Sequence, residues 1–444
     1  MTGFQNELPP LFERGRRLWL RLRQSRVVEN VFALYLLTFA NYVLPLITVP
    51  YTVRVLRPAG YGLGAFAVSF AGFFAVVIDY GFNLTATRAV SVHRNDPPGV
   101  SKIATQVILT KTVLLVTCSA LFWVLISTVP KLRGNNRVMW MGYLQVVLTS
   151  FSPFWLYQGL EKLRFSSRVN LVARVTYVPL LFLFVHQAGD VWKWMVLQAS
   201  VAGLATAILW SHACLRLGVR WVQPRLADLW SEFREGFSLF ASQAAVKVYT
   251  GGNTFVLGMF TNVTTAGYYS AAEKVVQAML GMQGPITQAV YPHASHLAAS
   301  SRRAALRFTR LTLLLQGGIG LSMTLGLLLA APWFAPILLG PRFIPSIRMM
   351  QILSPLPFLI ALSNVLGIQI MVPFKRDVAF TMILVGAGFL NLGLAVLLAP
   401  RFQGNGMAMA VTCSELWVTA AMFWYLTRLR LSPLLRPEPE AATG

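Results

Sequence analysis

The chain has 444 residues, 56% of them hydrophobic and 12% charged, and its apolar runs recur with short polar gaps from end to end. That is the composition of a polytopic membrane protein, and it leaves no stretch for a sizeable soluble catalytic domain. The net charge of +23 would suit nucleic acid, but the basic residues fall in short loops between apolar runs, where they set topology beside anionic lipid, so no nucleic-acid partner is expected.

Residues 1–30 form a basic N-terminal segment in which Leu11, Phe12, Leu18, Trp19 and Leu22 oppose Arg14, Arg17, Arg21 and Arg23, the pattern of a helix at the lipid headgroups. The first apolar run lacks a small-residue cleavage site and is expected to be retained. Twelve spans are predicted, at 31–53, 60–82, 104–128, 138–158, 169–187, 192–215, 236–258, 267–291, 310–334, 346–371, 378–399 and 405–427. They group as one bundle over 31–215 and a second over 236–427, with a tail at 428–444. The linker at 216–235 carries Leu226, Leu229, Trp230 and Phe233 opposite Asp228, Glu232, Arg234 and Glu235, an amphipathic surface helix. Loops on the side of the termini hold 25 Lys and Arg, those on the other side 9. Both termini are therefore expected in the cytoplasm.

The halves read as a repeat. Ala59-Gly60-Tyr61 opens the second span and Ala266-Gly267-Tyr268 the eighth, and the same offset sets Pro45 against Gly252. The expected fold is all-α, about twelve transmembrane helices in two six-helix bundles related by a pseudo-two-fold axis along the membrane normal.

Charged groups inside spans are informative, because each must face a cavity, a partner or the interface. Lys247 and Glu415 lie far from any predicted helix end and read as functional, with a buried structural pair between them as the alternative. Lys111 either faces a cavity or snorkels. Arg174 and Arg88 lie toward cytoplasmic ends, where a topological role competes. Glu273 and Lys274 are adjacent and cannot share one helical face, so at most one is expected to look into a cavity. Asp79, Asn83 and Thr87 recur every four residues, a stripe suited either to a proton or sodium ion or to helix packing. The five histidines and Cys118, Cys214 and Cys413 show no metal-ligand spacing, and there is no Walker loop or GxSxG elbow. No metal, cofactor or hydrolytic chemistry is expected.

The segments Pro58-Ala-Gly-Tyr-Gly62, Asp79-Tyr-Gly-Phe-Asn-Leu-Thr-Ala-Thr-Arg88, Trp155-Leu-Tyr-Gln-Gly-Leu-Glu-Lys162 and Tyr291-Pro-His293, in this order and spacing, resemble the O-antigen and exopolysaccharide flippases of the multidrug/oligosaccharidyl-lipid/polysaccharide exporter superfamily. The resemblance covers nearly the whole chain and is strongest in the first half. It implies a transporter, not an enzyme, of the bacterial cytoplasmic membrane. Its substrate would be an undecaprenyl-pyrophosphate-linked oligosaccharide, moved from the cytoplasmic to the periplasmic leaflet by alternating access for O-antigen, capsule or exopolysaccharide. Membrane lipid and the polymerase and chain-length proteins of the pathway would be its other partners. A diphosphate is a compact anion, and Lys247, Lys111, Arg54, Arg88, Arg174 and Lys274 are candidates to hold it. Glu415, Asp79 and Glu273 are candidates to carry a coupling proton or sodium ion. Trp140, Trp155, Tyr157 and Tyr249 are candidate sugar platforms, with packing as the alternative for each. A cation-coupled multidrug exporter of the same superfamily is the runner-up, disfavoured by a lysine-rich interior. A membrane polysaccharide polymerase or ligase stands third, since such enzymes carry a large periplasmic loop.

Overall fold

A computed structural model describes residues 26–223 and 250–433, together with Phe233, Arg234, Phe237, Phe240, Ala244 and Lys247; for 26–43 and Ala289 the backbone alone is described. The basic segment up to residue 25, the rest of the linker beyond residue 223, Tyr249 and the tail from residue 434 lie outside the described residues. Among the described residues every regular element is helical, and seven helices are long and apolar enough to cross a membrane. Two of the long helices turn sharply at a non-glycine residue of positive φ. Helix α1 (Arg26–Asp79) turns at Arg57, and the last helix (Asp377–Arg428) turns at Gln403; φ is 60° at the first and 52° at the second. Pro58 explains the first turn, because a proline excludes the helical region for the residue before it.

After α1 the first half continues with α2 (Phe82–Val92), α3 (Pro97–Thr128), α4 (Pro130–Arg133), α5 (Asn136–Ser150), α6 (Phe154–Gly159), α7 (Leu163–Phe184) and α8 (Val191–Arg216). The second half has α9 (Asn253–Phe260), α10 (Val263–Gly281), α11 (Gly284–Ser300), α12 (Arg302–Leu339), α13 (Pro345–Leu353), α14 (Leu356–Leu366), a π-helical turn (Gly367–Met371) and α15 (Asp377–Arg428).

Lipid tails are as apolar as leucine, so helices in a bilayer are held by close packing and hydrogen bonds rather than by escape from water. The two halves meet in that way at one end of the molecule. A Cβ on Gly62 would collide with the Val263 carbonyl and lie 2.8 Å from the Gly267 Cα, so α1 and α10 cross backbone to backbone where neither has a side chain. Around this crossing Arg54 donates to the Ile337 carbonyl, Lys131 donates to the carbonyls of Met259 and Thr261, and Tyr61 and Tyr268 pack edge-on against Phe343. Deeper in the bundle, Phe255 of α9 stacks on Phe66 and Phe70 of α1, at 5.1 and 4.8 Å between centroids.

Two of the segments that carried the resemblance, those beginning at Asp79 and Trp155, pack on one another. A Cβ on Gly159 would stand 2.7 Å from Val90 and 2.8 Å from the Thr87 carbonyl, Thr87 donates to the Trp155 carbonyl, and Arg94 pairs with Glu161 at 3.0 Å. They dock α2 against α6. Tyr80, at φ 43°, turns the chain from α1 into α2 and donates its hydroxyl to the Phe233 carbonyl, with Phe240 stacked on its ring at 4.6 Å. The stripe expected from Asp79, Asn83 and Thr87 is therefore not one helical face, because Tyr80 and Gly81 break the helix inside it.

Candidate functional site

Between the halves lies a cavity of about 710 Å³, beneath the Gly62–Gly267 crossing. Its first-half wall comes from α1, α5, α7 and α8 and presents Gln145, Asn170, Arg174, Tyr177 and Gln198. Trp194 donates its indole N–H to the Tyr177 hydroxyl at 2.9 Å and stacks on Tyr61, and Gln145 donates to the Gln198 carbonyl oxygen at 3.2 Å. These bonds hold the rings and amides at the cavity wall in fixed orientations. The second-half wall presents Thr254, Ser270, Glu273, Lys274 and Gln277. Glu273 and Lys274 both line the cavity, contrary to the expectation that at most one would. The cavity is wide enough to reach around α10, so residues 100° apart on the helix both meet it.

A second chamber of about 290 Å³ adjoins the first and shares Ser69, Gly72 and Gly251 with it. Lys247, Asp79, Asn83 and Phe240 line this chamber. Asp79 also faces inward, where the Lys111 ammonium donates to it at 2.9 Å and to the Ser150 carbonyl at 2.5 Å. Lys111 is 2% exposed and lines none of the three cavities, so its charge is neutralised by Asp79 within the first half and does not snorkel. Lys247 is exposed and makes no ion pair with any described residue. The alternative of a Lys247–Glu415 pair is not realised.

Glu415 instead lines a third, smaller cavity of about 120 Å³ in the second half of the chain, with Glu273, Asn253, Tyr269, Asn391 and Ser414. The Tyr269 hydroxyl donates to Glu273 at 3.3 Å and Asn391 donates to Asn253 at 2.8 Å. Glu273 belongs to both this cavity and the central one. Two carboxylates on the wall of one small, mostly apolar cavity can share a proton or ligate a cation.

The remaining candidates lie elsewhere. Arg54 sits at the closed end, its side chain against Gly340, and lines none of the three cavities. Arg88 is exposed on α2 and also lines none of them. Trp155 and Tyr157 are buried core residues, 2% and 0% exposed, and Trp140 packs edge-on against Phe122 and Tyr143. The aromatic residues at the cavity are Tyr61, Tyr177 and Trp194, which sequence reasoning missed together with Gln145, Asn170, Gln198 and Gln277. A signal for the amides existed. An uncharged amide in an apolar span also needs a partner or a polar space, so these positions carry the same kind of signal as a charge in a span.

Two helical halves closing over a cavity lined by both polar and apolar groups is the arrangement in which a membrane transporter holds its substrate. The same fold is seen in an inward-facing multidrug resistance MATE family transporter of the MOP superfamily, with a TM-score of 0.58 at 13% identity over 88% of this chain and 98% of that one. The lipid II flippase MurJ in an inward closed conformation matches with a TM-score of 0.53 at 12% identity, over 90% and 87% of the two chains. The family profile described as polysaccharide biosynthesis protein matches residues 27–298, and the chain belongs to that family. Two relatives carry the name "Putative O-antigen transporter": one from Escherichia coli (strain K12) is 32% identical over 91% of this chain and 97% of its own, and one from Shigella dysenteriae is 24% identical over 89% and 98%.

Proposed function

We propose that this protein is a flippase for undecaprenyl-pyrophosphate-linked oligosaccharide, carrying it from the cytoplasmic to the periplasmic leaflet of the bacterial inner membrane. The observation that carries the reading is the central cavity, which sets neutral amides and aromatic rings on one wall and the cations Arg174 and Lys274 on opposite sides. Its volume lies within the ~300–1,000 Å³ of ordinary ligand sites, enough for a few sugar rings. Amides and aromatic faces suit sugar hydroxyls and ring faces; guanidinium and ammonium groups suit a diphosphate. The Gly62–Gly267 end is the periplasmic one in this reading, and alternating access opens it as the opposite end closes. The broken helices α1 and α15 each supply two spans to a twelve-helix arrangement of two bundles. Glu273 and Glu415 carry the coupling proton or sodium ion, since Glu273 stands in both the small cavity and the central one.

The test is deletion of the gene followed by complementation. Full-length lipid-linked repeat units should accumulate in the cytoplasmic leaflet while surface polymer disappears, and the wild-type gene should reverse both. Repeat units that reach the periplasm and remain unpolymerised would defeat this reading in favour of an enzyme. The Glu273 carboxylate in the cavity favours a second reading, export of cationic drugs; unaltered surface polymer with raised sensitivity to such drugs would select it.

A further inference from the structure

The helix that sets out from the Gly62–Gly267 crossing does not run on unbroken. α10 ends at Gly281 and α11 resumes at Gly284. Between them the Met282 and Gln283 N–H groups bond to the Met279 and Leu280 carbonyls, at 3.1 and 3.0 Å, in the tighter pattern of a 3₁₀ turn. Pro285 accounts for the break, since it has no N–H to offer the Gly281 carbonyl. α10 lines the central cavity through Ser270, Glu273, Lys274 and Gln277, and α11 carries the chain on from the end of that wall farther from the crossing. Its principal neighbours are α12 and the π-helical turn, both of the second half. A seam of buried side chains joins these elements. Gln283 donates to the Pro357 carbonyl at 3.0 Å, Thr287 to the Gln316 amide oxygen at 3.3 Å, and Thr312 to the Gln369 amide oxygen at 2.9 Å. Yet the amide oxygen of Gln283 and the amide nitrogens of Gln316 and Gln369, all buried, have no hydrogen-bond partner among the described residues. A buried amide group left unpaired costs stability and needs a reason. Here the leftover groups are complementary, one acceptor and two donors, and the acceptor stands on the break itself.

We propose that α11 is a swinging gate. It pivots at Met282–Gln283 to close the central cavity at the end opposite the Gly62–Gly267 crossing, and the amide seam latches it in two positions. In the position described, Thr287 bonds Gln316 and the Gln283 oxygen is spare; in the other, the Gln316 nitrogen donates to the Gln283 oxygen. The inference rests on the alternating-access reading and adds to it the moving part and its latch. The pivot has room to turn: Met282 is 64% exposed, and a Cβ added at Gly284 would meet no described atom within 4 Å. The π-helical turn beside α11 is a second irregularity, its Val372 N–H bonding back to the Gly367 carbonyl at 3.1 Å, and such turns are frequent at functional sites. The pivot also borders the small cavity of Glu273 and Glu415, because Leu280, Leu356 and Ile360 line that cavity and the Pro357 carbonyl holds Gln283. An ion at the two carboxylates therefore stands beside the hinge.

Spin labels placed within the second half read the swing apart from any rocking of the halves. In a background with the exposed Cys214 and Cys413 changed to serine, His296→Cys on α11 and Val378→Cys at the start of α15 form the test pair. Leu311→Cys on α12 with Val378→Cys is the control, and all of these positions are exposed. Distances are measured by double electron–electron resonance in lipid nanodiscs, without substrate, in three proteins: the otherwise unaltered chain, Gly62→Leu, which holds the crossing apart, and Thr287→Val, which removes the bond to Gln316. The test distance should shift by several ångströms with Gly62→Leu, and Thr287→Val should populate the same second distance without it, while the control keeps one distance throughout. One unchanged test distance in all three proteins, or a control that shifts with it, would overturn the swing. A Thr287→Val protein indistinguishable from the unaltered chain would overturn the latch. A functional arm joins His293→Cys to Phe308→Cys, whose native rings meet at 4.7 Å across α11 and α12, with a short reducible bis-methanethiosulfonate. Transport of the lipid-linked oligosaccharide in vesicles should stop and return on reduction; undiminished transport by cross-linked protein would overturn the gate. The distances involve no transport, so they fail only with the gate, whereas unmodified protein that restores no surface polymer in the deletion strain would bring down the flippase reading alone.

Discussion

Lys111 and Asp79 show how a buried charge is neutralised by what surrounds it. An ammonium 2% exposed among apolar helices costs several kcal/mol unless paired, and here a carboxylate and a carbonyl complete its coordination. Lys111→Ala leaves Asp79 unpaired and should lower folded protein in the membrane by an amount equivalent to about 3 kcal/mol, the low end for a buried pair because Asp79 is partly open to its chamber. Lys111→Met with Asp79→Leu should recover the level, measured as detergent-solubilised protein surviving a thermal challenge; failure to recover would give the pair a role beyond neutralisation. Lys247→Ala, by contrast, should leave that level unchanged. At the loop before α8, Asp190 accepts from Lys193 at 2.7 Å and from the backbone N–H groups of His186 and Gln187. These bonds, Lys193 first, hold its carboxyl below the ordinary value of 3.8. A depressed carboxyl contributes stability above its unfolded pKa and loses it as pH falls through the folded value, so the contribution should fade only below about pH 4. Asp190→Asn should flatten the acid limb of a melting-temperature profile; an unchanged limb would deny the loop this role.

The interrupted helices are where the chain departs from simple spans. A break in a transmembrane helix strands backbone donors and acceptors that lipid cannot satisfy, so each break must find protein partners. At Gly252 both strays are taken by one hydroxyl, Ser69. Ser69→Ala removes two hydrogen bonds at once and should cost about 1–3 kcal/mol, read as a lower melting temperature, while Ser69→Thr, which keeps the hydroxyl, should retain most of it. Equal stability of serine and alanine at 69 would mean that water fills the role. Arg57 and Gln403 occupy left-handed φ values that non-glycine residues rarely adopt, and each divides a helix of more than fifty residues into two apolar arms.

For the whole molecule, the decisive contact is the crossing of α1 and α10 at Gly62 and Gly267. No side chain fits there, so Gly62→Leu should hold the halves apart at that end and favour the state open to it. Transport should be lost with protein level preserved, and a cysteine at Tyr61 should label faster from the periplasm; transport at the wild-type rate would show that the end closes elsewhere. Orientation is tested by reporter fusions. Those after Leu132 and Asn262 should read periplasmic and those after Arg164 and Arg303 cytoplasmic, following the 25 against 9 basic residues. A reversed reading at two of the four would mean that the number of spans is not twelve, and one at all four would place the closed end in the cytoplasm.

By itself the sequence determined the helical membrane class, the order of the apolar segments and the residues whose charge had to be explained, because lipid forces each backbone group to be satisfied locally and makes every buried charge conspicuous. It also marked the glycines of Ala59-Gly60-Tyr61-Gly62 and Ala266-Gly267-Tyr268 as matched openings of two helices, although the backbones meet at Gly62 rather than at Gly60. Which charges face a cavity was decided only by the tertiary structure. Lys111 and Arg174 look alike in the sequence, each one cation in an apolar run, yet Lys111 is held by Asp79, 32 residues away, while Arg174 opens into a space shared by segments more than two hundred residues apart. Rotation of a helix about its own axis is set by its neighbours, and a single chain read in order does not contain that angle.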